Sequence, residues 1–185
     1  MTKGKQLFSA ADIDGAVGKI ASGIGDEFKG DFRECALVGI HQQGVPLAER
    51  ICRALEKKFG SAPVLGKLDI SMYRDDIGNR MRLPPIRETE IPFDVNGKVI
   101  ILVDDVIYTG RTARAAMDAL IERGRPAVIR LCAIVDRGHR ELPIAANYVG
   151  KNVPTSREEF ISVRVKEIDG INEIVLNRIK DVKQS

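Results

Sequence analysis

The feature that most constrains the fold of this chain is an unbroken apolar run followed by two acidic residues. Residues 99–103 read Val-Ile-Ile-Leu-Val, and Asp104 and Asp105 follow at once. Five consecutive apolar residues are typical of a strand that is buried on both faces of a parallel sheet. The two carboxylates then lie at the carboxyl end of the strand, the edge at which open α/β sheets bind ligands. The run therefore predicts an α/β fold with a ligand site at Asp104 and Asp105.

The loop after the acidic pair has residue types that suit a sugar phosphate. Adjacent carboxylates can accept hydrogen bonds from two neighbouring hydroxyls, as on a ribose. Gly110 lets the backbone approach a phosphate without a Cβ clash, and Thr109 and Thr112 supply hydroxyl donors. We expect Thr112 to be the N-cap of an alanine-rich helix, whose positive end favours an anion. The spacing fits a 5-phosphoribosyl group, and the alternative is a simple polar turn between a strand and a helix.

Composition narrows the class of protein. The chain has 185 residues, of which 44% are hydrophobic and 30% are charged, and its net charge of +3 is too small to indicate nucleic acid by itself. No apolar run approaches membrane-spanning length, and the first residues lack the core of a signal peptide. Cys35, Cys52 and Cys132 are widely spaced in apolar contexts, and neither His41 nor His139 gives them metal-ligand spacing. We therefore expect reduced thiols in a cytoplasmic protein without membrane spans.

Hydrophobic periodicity predicts helices and strands that alternate along the chain. The predicted helices cover residues 10–29, where four glycines weaken the pattern, and residues 45–59, with Pro46 in the first turn. Besides the central run, the predicted strands are 35–40, 63–70, 127–135, 148–150 and 160–165, and residues 171–176 are either a last strand or a docking tail. This order predicts a central, mostly parallel sheet flanked by helices.

Two further segments are expected at the same edge of the sheet. His41-Gln-Gln-Gly44 connects a strand to a helix, and Asp136 and Arg137 follow another apolar strand. Because the carboxyl ends of parallel strands share one edge, both segments should face the ligand. An ordinary βα turn remains the alternative for residues 41–44.

The segment from residue 71 to residue 97 breaks the pattern of alternating elements. It shows no periodicity and contains several arginines, Arg74 among them. A segment this long inside a compact domain is usually functional or mobile. Its arginines suit a lid that closes over phosphates and excludes water, and a solvated charged hairpin is the alternative.

The central stretch from Val99 to Thr112 resembles the PRPP-binding motif of type I phosphoribosyltransferases, which has a hydrophobic strand, two acidic residues and a short Thr-Gly loop ending in Thr. Further stretches resemble the PyrR family, whose members are pyrimidine-operon attenuation regulators and uracil phosphoribosyltransferases. Those stretches are Lys67-Leu-Asp-Ile70, Tyr73-Arg-Asp-Asp76, Val103-Asp-Asp-Val-Ile-Tyr-Thr-Gly-Arg-Thr112, Met117-Asp-Ala-Leu120, Gly124-Arg-Pro126, Val135-Asp-Arg-Gly-His-Arg-Glu-Leu-Pro-Ile144 and Tyr148-Val-Gly-Lys-Asn-Val-Pro-Thr-Ser156. The resemblance covers nearly the whole chain. It implies a single domain over residues 1–185, with a flexible lid loop at about 71–97 and a small hood at about 136–170.

The resemblance also implies the reaction uracil + PRPP → UMP + pyrophosphate, with Mg²⁺ as cofactor. The metal would be held mainly by PRPP oxygens and water, so no protein ligand is assigned to it. The implied catalytic residues are Asp104 and Asp105, on the ribose hydroxyls, and Arg74, which would help to neutralise the leaving pyrophosphate. The implied PRPP site comprises Gln42, Gln43, Gly44, Asp104, Asp105, Val106, Ile107, Tyr108, Thr109, Gly110, Arg111 and Thr112. The implied base site comprises Asp136, Arg137, Tyr148 and Val149.

Several positions bear on the choice between functions. Purine enzymes of this fold carry Asp at the position of Tyr108 and Lys at that of Asp136, so this chain favours a pyrimidine over the alternative of a purine phosphoribosyltransferase. The family usually has Thr-Arg where this chain has Gln42-Gln43, which removes a phosphate contact.

The resemblance further implies pyrimidine-operon mRNA as a partner and a homodimer or a higher oligomer. Several basic side chains usual on the family's RNA face are absent, and His139, Arg140, Arg33 and Lys19 remain. A nucleotide-sensing RNA-binding regulator with little catalysis is therefore a second alternative to the enzyme.

Overall fold

The described part of the chain contains eight strands and five helices, which alternate over its first half. The computed structural model describes residues 4–73 and 87–182. In chain order the elements are β1 (Lys5–Phe8), α1 (Ala10–Phe28), β2 (Cys35–Ile40), α2 (Gly44–Phe59), β3 (Val64–Leu68), β4 (Val99–Ile107), α3 (Arg111–Ile121), β5 (Val128–Asp136), β6 (Tyr148–Asn152), β7 (Glu159–Arg164), α4 (Lys166–Asp169), β8 (Glu173–Arg178) and α5 (Ile179–Val182).

Five strands form a parallel sheet in the order β3-β2-β4-β5-β6. The central strand β4 pairs with β2 on one side and β5 on the other, so the loops after these three strands meet at one edge. Helices α1 and α2 pack on one face of the sheet and α3 on the other. This architecture confirms the predicted α/β fold. None of the helices within the described ranges is long and apolar enough to cross a membrane.

Apolar and polar residues do not alternate in β4, because helices cover both faces of the sheet. Ile101 and Val103 belong to the core under α1 and α2, whereas Ile100 and Leu102 belong to the core under α3. All four side chains are at most 1% exposed. Both faces of the strand therefore need apolar residues, and the acidic pair comes where this cover ends.

Helix α1 forms despite its four glycines. Ser9 and Asp12 make a capping box, in which the Asp12 amide donates to Ser9 Oγ and the Ser9 amide donates to Asp12 Oδ2. Ile13 and Ile24, both fully buried, belong to its apolar face. The glycine at position 25 is required by packing, since a Cβ there would lie 2.0 Å from the ring of Phe59 on α2.

A second, antiparallel sheet of three strands has the order β1-β8-β7. It includes β7 from the expected hood at 136–170, together with β1 and β8 from outside that range. The sequence pattern did not predict β1, because the strand has only four residues and its first two are exposed. Its partner β8 lies near the other end of the chain, so no local signal marks the pairing.

The expected lid at 71–97 is described only at its two ends. Residues 74–86, and with them Arg74, lie outside the described residues. On the carboxyl side, Lys67 and Glu90 exchange two backbone hydrogen bonds of 2.7 and 2.9 Å, and Val95 is 2% exposed. Residues 90–95 are therefore anchored beside β3 instead of belonging to a free loop, and the lid stays a prediction for the rest of the segment.

Candidate functional site

The loop between β4 and α3 surrounds a cavity at the carboxyl edge of the sheet. The cavity has a volume of about 250 Å³ and is lined by Asp104, Val106, Ile107, Tyr108, Thr109, Gly110, Arg111, Thr112, Ala113 and Leu131. The helix begins one residue before Thr112, so the expected N-cap is wrong. Gly110 is the N-cap, with a φ of 92° that a residue with a side chain rarely adopts. The Arg111 amide donates to Thr109 Oγ1 over 3.3 Å, and the first three residues of α3 line the cavity, so the positive end of the helix adjoins it.

The acidic pair lies within the last part of β4, which extends beyond the predicted run to Ile107. The amide of Asp105 donates to Asp104 Oδ1 over 2.9 Å, and the amide of Val106 donates to Asp105 Oδ1 over 2.8 Å. Both side chains are half-buried. Burial raises the pKa of the Asp105 carboxyl, while the hydrogen bond to Asp104 and backbone amides oppose this shift. The sheet therefore presents two fixed carboxyl groups at one edge, and burial opposes the ionisation of Asp105.

The loop of residues 41–44 lies against the same strand. The peptide bond between His41 and Gln42 is cis, and the Gln42 side chain is exposed. Gly44 is buried, and a Cβ there would lie 2.2 Å from the carbonyl oxygen of Val103 and 3.5 Å from Cα of Asp104. The glycine thus allows the loop to approach the acidic pair directly.

A third group of residues closes the site beyond β5. The guanidinium of Arg137 stacks on the ring of Tyr108, 3.9 Å from its centroid. Arg137 is 4% exposed, and it donates to Thr155 Oγ1 and to the carbonyl oxygen of Ser156, each over 3.0 Å. His139 Nε2 lies 2.5 Å from the carbonyl oxygen of Thr155. Residues 155 and 156 thus join the site, although sequence reasoning gave them no role.

Asp136 is close to this group, but its carboxylate is already engaged. Its Oδ1 accepts from the Gly138 amide over 2.9 Å, and its Oδ2 pairs with the Arg140 guanidinium over 2.5 Å. The carboxylate therefore has a structural partner on each oxygen.

Tyr148 and Val149 lie at the start of β6, two strands away from the acidic pair. In the parallel pair β5-β6, Tyr148 is opposite Cys132 and Asn152 is opposite Asp136, so Tyr148 lies roughly 13 Å back along the strand. Its hydroxyl donates to Glu27 Oε2 over 2.5 Å, at the far end of α1. Val149 is opposite Ala133, which is opposite Asp104 in turn, so Val149 is level with the acidic pair and its contact with a base stays a prediction. Tyr148 does not fit that role, because its hydroxyl is held at α1.

We expect Tyr148→Phe to lower stability and leave turnover unchanged. The variant loses the hydrogen bond to Glu27, which should lower the free energy of unfolding by about 1 kcal/mol in urea denaturation. A rise in the KM for the nucleobase with no loss of stability would contradict this structural role.

The described residues contain no group of three His, Cys, Asp or Glu side chains that could enclose a metal ion. Asp104 and Asp105 offer only a partial set of oxygen ligands. This arrangement suits a magnesium ion that takes most of its ligands from a bound phosphate compound and from water.

Comparisons with known proteins show the family of this chain. Residues 4–168 match the family model described as the phosphoribosyl transferase domain. The chain is 52% identical over 174 residues to the "Bifunctional protein PyrR" of Chloroflexus aurantiacus, covering 94% of this chain and 95% of that protein. It is 53% identical over 171 residues to the protein of the same name from Thermus aquaticus, covering 92% and 94%.

The fold is also similar to that of a solved hypoxanthine phosphoribosyl transferase from Trypanosoma cruzi. The TM-score is 0.75 with 20% sequence identity, covering 100% of this chain and 96% of that one. At this identity the likeness concerns the fold alone. With a family model over most of its length and relatives at about half identity, the chain belongs to the PyrR family of type I phosphoribosyltransferases.

Proposed function

We propose that this protein transfers the 5-phosphoribosyl group of PRPP to uracil, with Asp104 and Asp105 on the ribose hydroxyls. The observation that carries the proposal is the cavity in which Asp104, the first residue of the acidic pair, adjoins the amino end of α3. PyrR proteins are pyrimidine-operon regulators with uracil phosphoribosyltransferase activity, and the family membership of this chain gives it both functions.

The reaction requires little covalent chemistry from the protein itself. Pyrophosphate leaves C1′ of the ribose, the ring gains positive charge, and the uracil nitrogen bonds to C1′ as its proton passes to the departing pyrophosphate or to water. The carboxylates of Asp104 and Asp105 hold the ribose hydroxyls and favour this positive charge. Residues 106–112 bind the 5′-phosphate, and the amides of residues 42–44 lie beside the pyrophosphate. Water would compete with uracil at C1′, so a lid that includes Arg74 would protect PRPP from hydrolysis.

The base lies beside the stacked pair of Tyr108 and Arg137. The pair is fastened to Thr155 and Ser156, so it forms a fixed wall at the end of β5. With no lysine at position 136 and no aspartate at position 108, the site lacks the residues that purine enzymes of this fold present. We therefore assign a pyrimidine base.

Asp104 and Asp105 would lie near a Mg²⁺ cofactor that takes most of its ligands from PRPP and water. When bound, it neutralises charge on the leaving pyrophosphate.

The regulatory function would use pyrimidine-operon mRNA as partner. Some of the basic residues expected on its RNA face are instead engaged within the protein. Arg140 donates into the protein, as described above, and Lys19 Nζ donates to the carbonyl oxygen of Val149 over 3.0 Å. Arg33 has an exposed side chain paired with Asp31.

Cys35 and Cys132 are buried free thiols, which supports a reducing, cytoplasmic setting. A homodimer or higher oligomer is part of this proposal.

A panel of bases tests the enzyme function. With PRPP and Mg²⁺, uracil should release pyrophosphate, and hypoxanthine, guanine and adenine should not, because the wall of Tyr108 and Arg137 offers no purine-specific partner. Each base is also assayed without PRPP as a control. Release with a purine would favour the purine enzyme, and a rise in melting temperature with UMP but no turnover with any base would favour a nucleotide sensor.

A further inference from the structure

The segment of residues 138–144, here called the brace, contacts the phosphate loop of residues 106–112 through that loop's carbonyl oxygens. The amides of Glu141 and Leu142 both donate to the carbonyl oxygen of Thr109, over 3.0 and 3.1 Å. Arg140 Nη1 donates to the carbonyl oxygen of Tyr108 over 2.9 Å. No brace residue is among those that line the cavity. The brace thus engages two consecutive carbonyl oxygens of the loop without itself lining the cavity.

This engagement matters because a phosphate is bound by N–H groups and repelled by carbonyl oxygens. A short loop can turn its amides toward an anion only if its carbonyl oxygens find donors elsewhere. Here the donors come from the brace. The brace also packs closely, since a Cβ on Gly110 would lie 3.3 Å from Cβ of Ile144 and 3.4 Å from Cβ of Leu142.

Arg140 is the centre of the brace. Nε donates to the carbonyl oxygen of Ile144 over 2.9 Å, Nη1 donates to those of Tyr108 and Gly138, and Nη2 pairs with Asp136 over 2.5 Å. One guanidinium therefore joins the end of β5, the brace and the phosphate loop. The side chain is 23% exposed, so its charge is largely used inside the protein.

We propose that Arg140, held by Asp136, is a positioning residue for the 5′-phosphate, because it fixes the carbonyl oxygens of the phosphate loop away from the ligand. This inference rests on the proposed function, in which the loop binds that phosphate. By this inference Asp136 also helps to position the phosphate loop, and its carboxylate does not contact the base directly.

The test compares UMP with uridine, which differ only in the 5′-phosphate. Calorimetric titration of Arg140→Met should show UMP affinity reduced by about tenfold or more, since several hydrogen bonds of a charged group are lost. Uridine affinity should change by less than about twofold, as the base and ribose contacts remain. In turnover, the KM for PRPP should rise more than kcat falls.

Three further variants make the result specific. Arg140→Lys keeps the charge and the ion pair with Asp136 but lacks the forked guanidinium. It should therefore lose less UMP affinity, and the loss should again be greater for UMP than for uridine. The double variant, Arg140→Met with Asp136→Asn, also removes the carboxylate that Arg140→Met alone leaves unpaired. Arg114→Met removes an equal charge from the first turn of α3, where Arg114 pairs with exposed Asp118, and should bind UMP as the original protein does.

An equal loss of UMP and uridine affinity in both Arg140 variants would overturn the positioning role, as would unchanged UMP affinity. The original protein is the separate control for the proposed function. If it binds UMP no better than uridine, the phosphate site itself is wrong and the positioning role falls with it.

Discussion

Replacing both acidic residues, Asp104→Asn with Asp105→Asn, should abolish turnover while the fold remains. Asparagine keeps an oxygen that can accept the 2.9 and 2.8 Å hydrogen bonds from the amides of Asp105 and Val106. It removes the negative charge that binds two ribose hydroxyls and favours the positive ring. Each charged hydrogen bond contributes about 1.5–3 kcal/mol, so kcat/KM for PRPP should fall by about 10²–10⁴-fold.

The effect on stability has the opposite sign. Burial raises the pKa of Asp105 in the folded protein, so the ionised carboxylate opposes folding. This penalty is absent at low pH, where the group is protonated in both states, and it appears as the pH rises above the unfolded value. Asp105→Asn alone should therefore be at least as stable as the original protein near pH 7, measured by urea denaturation. Normal turnover in the double variant would contradict the role of the two residues on the ribose. If the double variant does not fold, the single variants Asp104→Asn and Asp105→Asn provide the same test.

Gly44→Ala should damage both stability and PRPP binding. The added Cβ would lie 2.2 Å from the carbonyl oxygen of Val103, an atom of the central strand that cannot rotate away. The loop of residues 41–44 must then move off the edge of the sheet. Such overpacking costs about 1–3 kcal/mol in the free energy of unfolding. Displacement of the loop by an ångström can cost turnover about a hundredfold.

A matched glycine on α1 provides the control for this prediction. Gly15 is exposed, and a Cβ there meets nothing within 4 Å. Gly15→Ala should therefore stabilise the helix by about 0.5–1 kcal/mol and leave the KM for PRPP unchanged. Equal behaviour of the two variants would show that the loop does not depend on close contact with β4.

The central sheet could be predicted because its strands carry local signals. The apolar runs of β2, β4 and β5 are continuous, since helices cover both faces of the sheet. β1 could not be predicted, because its four residues become a strand only by pairing with β8 far along the chain. Local pattern also placed the N-cap of α3 at Thr112, whereas the structure has Gly110, with its positive φ, as the N-cap two residues earlier.

The site was predictable where it follows one strand and not where it joins separate segments. Asp104, Asp105 and Gly110 stand together in the sequence, so their spacing indicated a sugar phosphate. The contact of Arg137 with Thr155 and Ser156 spans 18 residues or more, and no periodicity marks it. Tyr148 was expected beside the base, but the direction and register of β6 decide which end of that strand reaches the site.

The order of strands in the small sheet has a consequence for how the protein is made. The five parallel strands are complete once the ribosome has added Asn152, and this sheet can form while the remaining segments are still being synthesised. In the small sheet the middle strand, β8, is the last to be translated, so neither β1 nor β7 has its partner before Arg178 emerges. A nascent chain thus exposes its acidic edge before the small sheet is finished, and it completes that sheet only after Arg178 has emerged.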